Sequence, residues 1–287
     1  MYSAPPHWVE GLPQPGRCLV MGVVNVTPDS FSDGGRWFER PAAIEHGLAL
    51  LAEGADVIDV GGESTRPGAE RPSAEEEMSR TIPVVEALTA AGAVVTIDTM
   101  RPAVARAAVQ AGAVAVNDVS GGLGDDEMLA AVAELETPYI CMHWRGHSAH
   151  MQDQARYDDV VAEVAGQLAA RIQASLAAGI APGRLAIDPG LGFAKTGEHN
   201  WSLLRRLESL HTLGHPILVG ASRKTFLGAL LADESGDPRP ALERDAASAA
   251  LSVLAALCGA WCVRVHDVRR SIDAVRVASR WAKQEAP

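Results

Sequence analysis

Polar and ionisable residues recur in this sequence directly after short apolar runs, and their types suit a flat, hydrogen-bonding ligand beside an anion. Asn25 follows CLVMGVV, Asp59 follows DVI, Asp98 follows VVTI and Asn117 follows AVAV. His143 follows YICM, Asp188 follows LAI, Arg223 and Lys224 follow ILVGAS, and His266 follows WCVRV. A carboxylate accepts two parallel hydrogen bonds from an aminopyrimidine-like edge, so Asp98, Asn117 and Asp188 are candidate acceptors for a planar heterocycle. Asp98 and the pair Asn117-Asp118 read equally as caps of the helices that follow. For Asp188 the cap is the weaker reading, because Gly190 and Gly192 clear space and Phe193 and Lys195 follow at once.

The cations have their own pattern. Arg264 and His266 alternate along one run, which puts both on the same side of a strand and makes an anion site. At least one of Arg223 and Lys224 is expected to face the same space, since a buried run precedes them and the apolar FLGALL follows. Gly61-Gly62-Glu63-Ser64-Thr65-Arg66-Pro67-Gly68 is a small-residue loop carrying a single strong cation, Arg66, whose fork suits a carboxylate or phosphate. In MGVVNVTPDSFSDGG, the Asn25 side-chain oxygen either ligates a hard cation or closes a local turn. Phe31, in so polar a loop, is placed to close over a flat ligand. His143, His147 and His150 lie without nearby carboxylates or thiolates, so no zinc site is read there. No GxSxG, Walker loop or HExxH motif occurs.

The apolar runs that carry these residues are short and bounded by turn signals, as fully buried parallel strands are. Between them lie helical patterns at roughly 41–53, 73–90, 102–111, 126–135, 157–178, 199–212, 241–258 and 268–282. Ser73-Ala74-Glu75-Glu76 reads as a capping box, Pro41 and Pro102 suit first turns, and Gly54, Gly92, Gly112 and Gly179 suit helix stops. Strict βα alternation over the length of a barrel domain, roughly 250 residues, predicts an α/β fold. It is a single-domain TIM (β/α)8 barrel with its substrate site at the C-terminal ends of the strands. Residues 1–16 are expected to be an irregular arm, 17–287 the barrel, and 233–244 an exposed loop.

Composition agrees and excludes some classes. The 287 residues are 47% hydrophobic and 21% charged. A net charge of −11 argues against a nucleic-acid or anionic-membrane surface, while leaving room for a local cluster that binds a small anion. The four cysteines show no CxxC spacing and read as buried thiols. No signal peptide and no membrane span is indicated, so the expectation is a cytoplasmic protein without nucleic-acid or membrane partners.

Together these motifs resemble dihydropteroate synthases. MGVVNVTPDSFSDGG and DVIDVGGESTRPGA are similar to the two leading signatures of that family. Thr96-Ile97-Asp98-Thr99 stands for its SIDT, with Thr in place of the commoner Ser, and NDVSGG, DPGLGFAK, GASRK and VRVHDV follow at the expected strand ends. The resemblance runs from Val20 to about Ala282. FAKTGEHNW and the MHWRG loop are most similar to actinobacterial members.

The resemblance implies a transferase of folate biosynthesis that condenses 6-hydroxymethyl-7,8-dihydropterin pyrophosphate with p-aminobenzoate. It assigns the pterin to Asp98, Asn117, Met142, Asp188, Lys224 and Arg264. The diphosphate falls to Asn25, Thr65, Arg264 and His266, with Mg²⁺ on Asn25. The p-aminobenzoate or sulfonamide pocket falls to Phe31, Thr65, Arg66, Pro67, Phe193, Ser222 and Lys224. Asp98, Lys224, Arg264 and His266 are the expected catalytic group, and loops 26–38 and 63–72 are expected to order on the substrates. A homodimer is implied too. Two rivals share the barrel: a catalytically silent pterin-binding paralogue and a corrinoid-linked pterin methyltransferase domain. The first should carry degraded loops, and the second has no use for diphosphate contacts.

Overall fold

Strands that are apolar on both faces need cover twice, from helices outside and from one another's side chains inside. The computed structural model describes residues 8–27, 40–64, 71–147 and 151–283. Among these the chain begins with β1 (Leu19–Asn25), α1 (Arg40–Ala52), β2 (Val57–Gly61), α2 (Ala74–Ala90), β3 (Val95–Asp98) and α3 (Pro102–Gln110). It continues with β4 (Ala115–Asp118), α4 (Met128–Leu135), β5 (Tyr139–Met142), α5 (Val160–Ala177), β6 (Leu185–Asp188) and α6 (Gly197–Arg205). Then come β7 (Leu218–Val219), α7 (Thr225–Leu230), α8 (Asp245–Leu257), β8 (Cys262–Val265) and α9 (Val268–Ala282).

All pairs are parallel, in the order β6-β5-β4-β3-β2-β1-β8-β7. A lone bridge between Ile187 and Ile217 brings β6 beside β7, so the predicted (β/α)8 barrel is nearly closed.

Alternation along the strands sorts the side chains. Val20, Val24, Ile58, Val60, Ile97, Val116, Tyr139, Cys141 and Ile187 face outward and share one buried cluster with the helices. Leu19, Met21, Val57, Ala115, Ile140, Ala186, Leu218 and Cys262 face inward and fill the barrel floor, where Val9 and Leu12 of the irregular arm join them. Continuing the inward parity toward the C-terminal ends gives Asn25, Asp59, Thr96, Asp98, Asn117, Met142, Asp188 and Arg264. The apolar floor becomes a polar mouth within one or two residues of each strand.

Three expectations need correction. The alternation is not strict: the apolar FLGALL forms α7, an extra helix between β7 and α8. Ser73 does cap α2 by accepting the Glu76 N–H, but Glu76 turns its carboxylate to Arg80 instead of completing the box. The reciprocal capping box lies elsewhere, at Thr196 and His199 ahead of α6. The 233–244 segment is exposed over most of its length, yet its last residues line the mouth of the barrel.

Candidate active site

A cavity of about 770 Å³ opens at the C-terminal ends of the strands. Asn25, Asp98, Asn117, Met142 and Asp188 reach it from β1, β3, β4, β5 and β6. Phe193, Ser222, Lys224, Arg264 and His266 also line it, from the later loops and β8. Every described residue of the expected site is therefore in one place. Phe31, Thr65, Arg66 and Pro67 lie outside the described residues.

The floor of the cavity is organised by a residue for which the sequence suggested only a strand end. Asp59 is fully buried and accepts from Thr96 Oγ1 at 2.6 Å, Asn117 Nδ2 at 2.9 Å and Arg264 Nε at 2.6 Å. Two consequences follow. The Asn117 amide is oriented with its nitrogen spent on Asp59, which turns its oxygen into the free acceptor. The Arg264 fork is fixed across two carboxylates, with Nη2 on Asp98 Oδ2 at 2.7 Å. For Arg264, burial works against the charge, but Asp59 and Asp98 outweigh it and hold the group above the ordinary guanidinium range. Asp98 is pushed up by burial, against the pull of Arg264 and with the help of Asp59, so one guanidinium serves two carboxylates.

Asp188 sits where DPGLG makes its turn, accepting from the Gly190 N–H at 2.7 Å. Burial raises it; the Gly190 N–H, Lys224 and Lys195 pull it back. Gly190 has φ +68°, and a Cβ there would strike the His143 carbonyl, so only glycine makes this turn. Lys195 braces the same loop from behind, donating from Nζ to His143 Nδ1 at 2.9 Å and to the Gly190 and Phe193 carbonyls at 3.0 Å. That leaves Phe193 facing Lys224, whose Nζ lies 4.3 Å from the ring centroid. Burial lowers Lys224 to about 8, with Asp188 opposing. Of the two adjacent cations, Lys224 enters the mouth, while Arg223 pairs Nε and Nη2 with Asp245 at 2.6 and 2.9 Å.

On β8's far end, His266 accepts or donates at Ser222 Oγ, 3.1 Å from Nδ1, and its N–H also reaches that oxygen at 3.2 Å. Burial and the cations Arg223, Arg264 and Lys224 keep His266 well below the usual imidazole value, so it is neutral at physiological pH.

Two sequence candidates face the other way. Asp118 has outward parity and folds the NDVSGG loop, accepting from Ser120 N, Ser120 Oγ, Gly122 N and Tyr139 Oη within 2.6 to 2.8 Å. His143 also faces outward; burial, with the Lys195 cation beside it, holds it near 3. Among the described residues no group of three or more His, Cys, Asp or Glu could hold a metal ion.

Glu63 lines the cavity at the start of the loop after β2. Arg101 joins Glu63 Oε2 at 2.8 Å, the fully buried Glu77 at 2.6 Å and the Pro72 carbonyl at 2.6 Å. Thr99 Oγ1 gives Glu77 a second donor at 2.6 Å, and Arg71 joins Glu63 at 2.7 Å. Residues on either side of segment 65–70 are thereby tied to the end of β3.

The comparisons with known proteins agree with this geometry. A family model described as pterin binding enzyme matches residues 21–266. A dihydropteroate synthase of Mycobacterium leprae is 57% identical over 91% of this chain and 93% of its own length. A Xanthomonas albilineans dihydropteroate synthase solved with 7,8-dihydropteroate superposes with TM-score 0.80 at 45% identity, covering 93% of this chain and 95% of that one. A Yersinia pestis dihydropteroate synthase solved as a sulfonamide drug complex superposes with TM-score 0.89 at 40% identity, covering 95% and 98%. The chain belongs to the pterin binding enzyme family and, within it, to the dihydropteroate synthases.

Proposed function

We propose that the cavity condenses 6-hydroxymethyl-7,8-dihydropterin pyrophosphate with p-aminobenzoate, giving 7,8-dihydropteroate and pyrophosphate by early C–O cleavage. One observation carries the reading: acceptors Asp98, Asn117 and Asp188 share one cavity with the cations Arg264 and Lys224. The acceptors suit the donor-rich pterin edge, with Lys224 at its carbonyl or ring-nitrogen side and Met142 in the apolar patch it forms with Met100 and Val119. Arg264, fixed by Asp59 and Asp98, lies between the pterin face and the departing diphosphate, and neutral His266 offers a hydrogen bond there. Pre-placed charge of this kind stabilises the developing diphosphate anion without reorganisation.

In the step itself the C–O bond breaks first and its electron pair leaves on the diphosphate. The methylene cation is delocalised into the pterin, the arylamine nitrogen then forms the C–N bond, and its proton passes to solvent or to the diphosphate. Asp98 and Asp188 are engaged with Arg264 and with the Gly190 N–H, so neither acts as a strong base toward the amine. A large secondary isotope effect at the methylene is expected; a value near unity would rule out early cleavage. Pyrophosphate release from the pterin diphosphate, Mg²⁺ and p-aminobenzoate tests the reaction itself, and no turnover despite pterin binding would favour a silent paralogue.

Asn25 would be the protein's contact to Mg²⁺. A single amide oxygen fits an ion that keeps several waters and is held mainly by substrate phosphates. Bound there, the ion would neutralise charge on the leaving diphosphate. The p-aminobenzoate pocket would run from Phe193, Ser222 and Lys224 toward Phe31, Thr65, Arg66 and Pro67. Sulfonamides should compete in it, and substitutions at Pro67 or Ser222 should alter their binding. A homodimer goes with this reading. Leu254 and Leu257 of α8 and Val277 and Trp281 of α9, helices that pack together, are between 39% and 80% exposed and offer an apolar face. Sedimentation as a monomer would refute it. The cysteines are free thiols, which suits the reducing cytoplasm, where cell fractionation should find the protein.

A further inference from the structure

The backbone that delivers Lys224 to the mouth is unusual. Arg223 has φ +58°, a left-handed conformation that disfavours a side chain by roughly 1–2 kcal/mol and persists only where its surroundings impose it. Those surroundings come from the end of the 233–244 segment and the first turns of α8. Asp245 takes the Arg223 guanidinium with both oxygens, and Ser248 Oγ accepts the Arg223 N–H at 3.1 Å. Arg244 is 8% exposed, and its guanidinium ties three carbonyls together. Nη1 donates to Arg223 O at 2.9 Å and Lys224 O at 3.3 Å, while Nε donates to Arg239 O at 2.6 Å.

The guanidinium reaches those carbonyls by lying on the bare α-carbon of Gly228 in α7. A Cβ at Gly228 would come within 2.5 Å of Cζ and 2.6 Å of Nε. The Arg239 N–H also donates to Gly228 O at 3.1 Å, so the segment docks on α7 at Gly228. Pro240, Leu242 and Arg244 thereby line the cavity.

We propose that Arg244, seated on Gly228, is a positioning residue for Lys224: its hold on the Arg223 and Lys224 carbonyls sets where the Lys224 ammonium stands against Phe193 and Asp188. The role rests on the proposed reaction only in that Lys224 meets the pterin. Arg244 touches neither substrate nor reacting atoms in this assignment. A displacement near 1 Å of a group that orients substrate costs on the order of 10²-fold in rate.

The test uses the full-length chain with Arg244→Met, Arg244→Lys, Gly228→Ala and the Arg244→Met/Gly228→Ala double variant. Gly228→Ala alters no charge and adds a good helix former, so its one effect on the site is to push the guanidinium away. Calorimetric binding of a bare 6-hydroxymethylpterin should weaken roughly tenfold or more in Arg244→Met and in Gly228→Ala, and less in Arg244→Lys. The double variant should be no weaker than Arg244→Met, because a shortened side chain removes the clash. The basic limb of kcat/KM against pH should shift in Arg244→Met and in Gly228→Ala. An unchanged pterin affinity and basic limb, with only the melting midpoint lowered, would make Arg244 a fold-holding residue and overturn the proposal. Losses that multiply in the double variant would overturn it too. If Arg244→Met does not fold, Gly228→Ala and Arg244→Lys carry the same comparison. If the wild type binds pterin without releasing pyrophosphate, the proposed reaction fails while the binding comparison still judges Arg244.

Discussion

Replacing Asp59 by Asn tests whether the floor of the cavity is held as the geometry indicates. The substitution keeps shape and removes one charge beneath the site. An aspartate there accepts three hydrogen bonds, from Thr96, Asn117 and Arg264. An asparagine has a single acceptor oxygen: placed where Oδ2 stands, it keeps the Asn117 and Arg264 donors, and its own NH₂ faces Thr96 Oγ1, whose hydroxyl must then accept and loses the acceptor for its proton. The Thr96 hydroxyl proton is left unmet at about 1–3 kcal/mol, and the bond from Arg264 falls from a charge-assisted one worth about 1.5–3 kcal/mol to a neutral one worth about 0.5–1.5 kcal/mol. Against this stands relief of the repulsion between Asp59 and Asp98, which share one guanidinium. The net expectation is a loss of about 1–3 kcal/mol, read as a lower urea midpoint at unchanged slope. Relief of the repulsion also frees Asp98 to ionise at lower pH. A carboxylate raised in the fold contributes stability that is present below its unfolded value and lost as pH rises through its folded value. In Asp59→Asn this loss should shrink, so the deficit against wild type is smaller above neutrality than the hydrogen bonds alone would give. Calorimetry should also show weaker bare-pterin binding, because Arg264 keeps only one carboxylate, Asp98, to fix its fork. A variant with wild-type urea midpoint and wild-type pterin affinity would refute the role given to Asp59.

Lys224, lowered to about 8 by burial, should make kcat/KM for the pterin diphosphate fall as pH rises through that value, and Lys224→Arg should remove this limb while keeping a cation over Phe193. Stability runs the opposite way, since a lysine depressed in the fold stabilises above its unfolded value of about 10.4 and loses that contribution as pH falls through about 8. Arg101→Met leaves the buried Glu77 carboxylate without its guanidinium, at about 3–5 kcal/mol. Glu77 is already raised by burial, so protonation offsets the loss, and urea midpoints should differ from wild type more at pH 8 than at pH 5. Asn25→Ala should weaken Mg²⁺-dependent diphosphate binding far more than binding of a bare pterin; equal losses in a titration of the two ligands would show that Asn25 holds the pterin instead.

The barrel and most of its mouth were legible because an apolar run ending in a polar residue is a local signal. Asp98, Asn117, Asp188 and Lys224 were found that way, and all line one cavity. Which way a terminal residue points is less local, since it depends on parity within the strand. Asp118 and His143 end runs just as the others do, but they share parity with outward-facing Tyr139 and Cys141. Asp59 was missed as a working residue for another reason: its partner Arg264 is 205 positions away, and only closure of the barrel brings them together. Likewise the Pro-rich, charged 233–244 segment reads as a loop, and its inner edge exists only because Arg244 docks on Gly228. Ser73 starts its helix as the local pattern predicts, while the second half of its box goes to a competing partner, Arg80.

The ladder of the barrel is thin at one place among the described residues, where Ile187 and Ile217 supply the lone bridge between β6 and β7. Asp188 stands on one lip of this gap; Gly220, leading to Ser222 and Lys224, stands on the other. A Cβ at Gly220 would lie 3.8 Å from Asp188 Oδ2, so the two lips face each other directly at the mouth. On the proposed reading a pterin spans them, bonded to the carboxylate on one side and to the ammonium on the other. The ligand then supplies the rung that the backbone leaves out, and it completes the circumference of the barrel as it occupies the site.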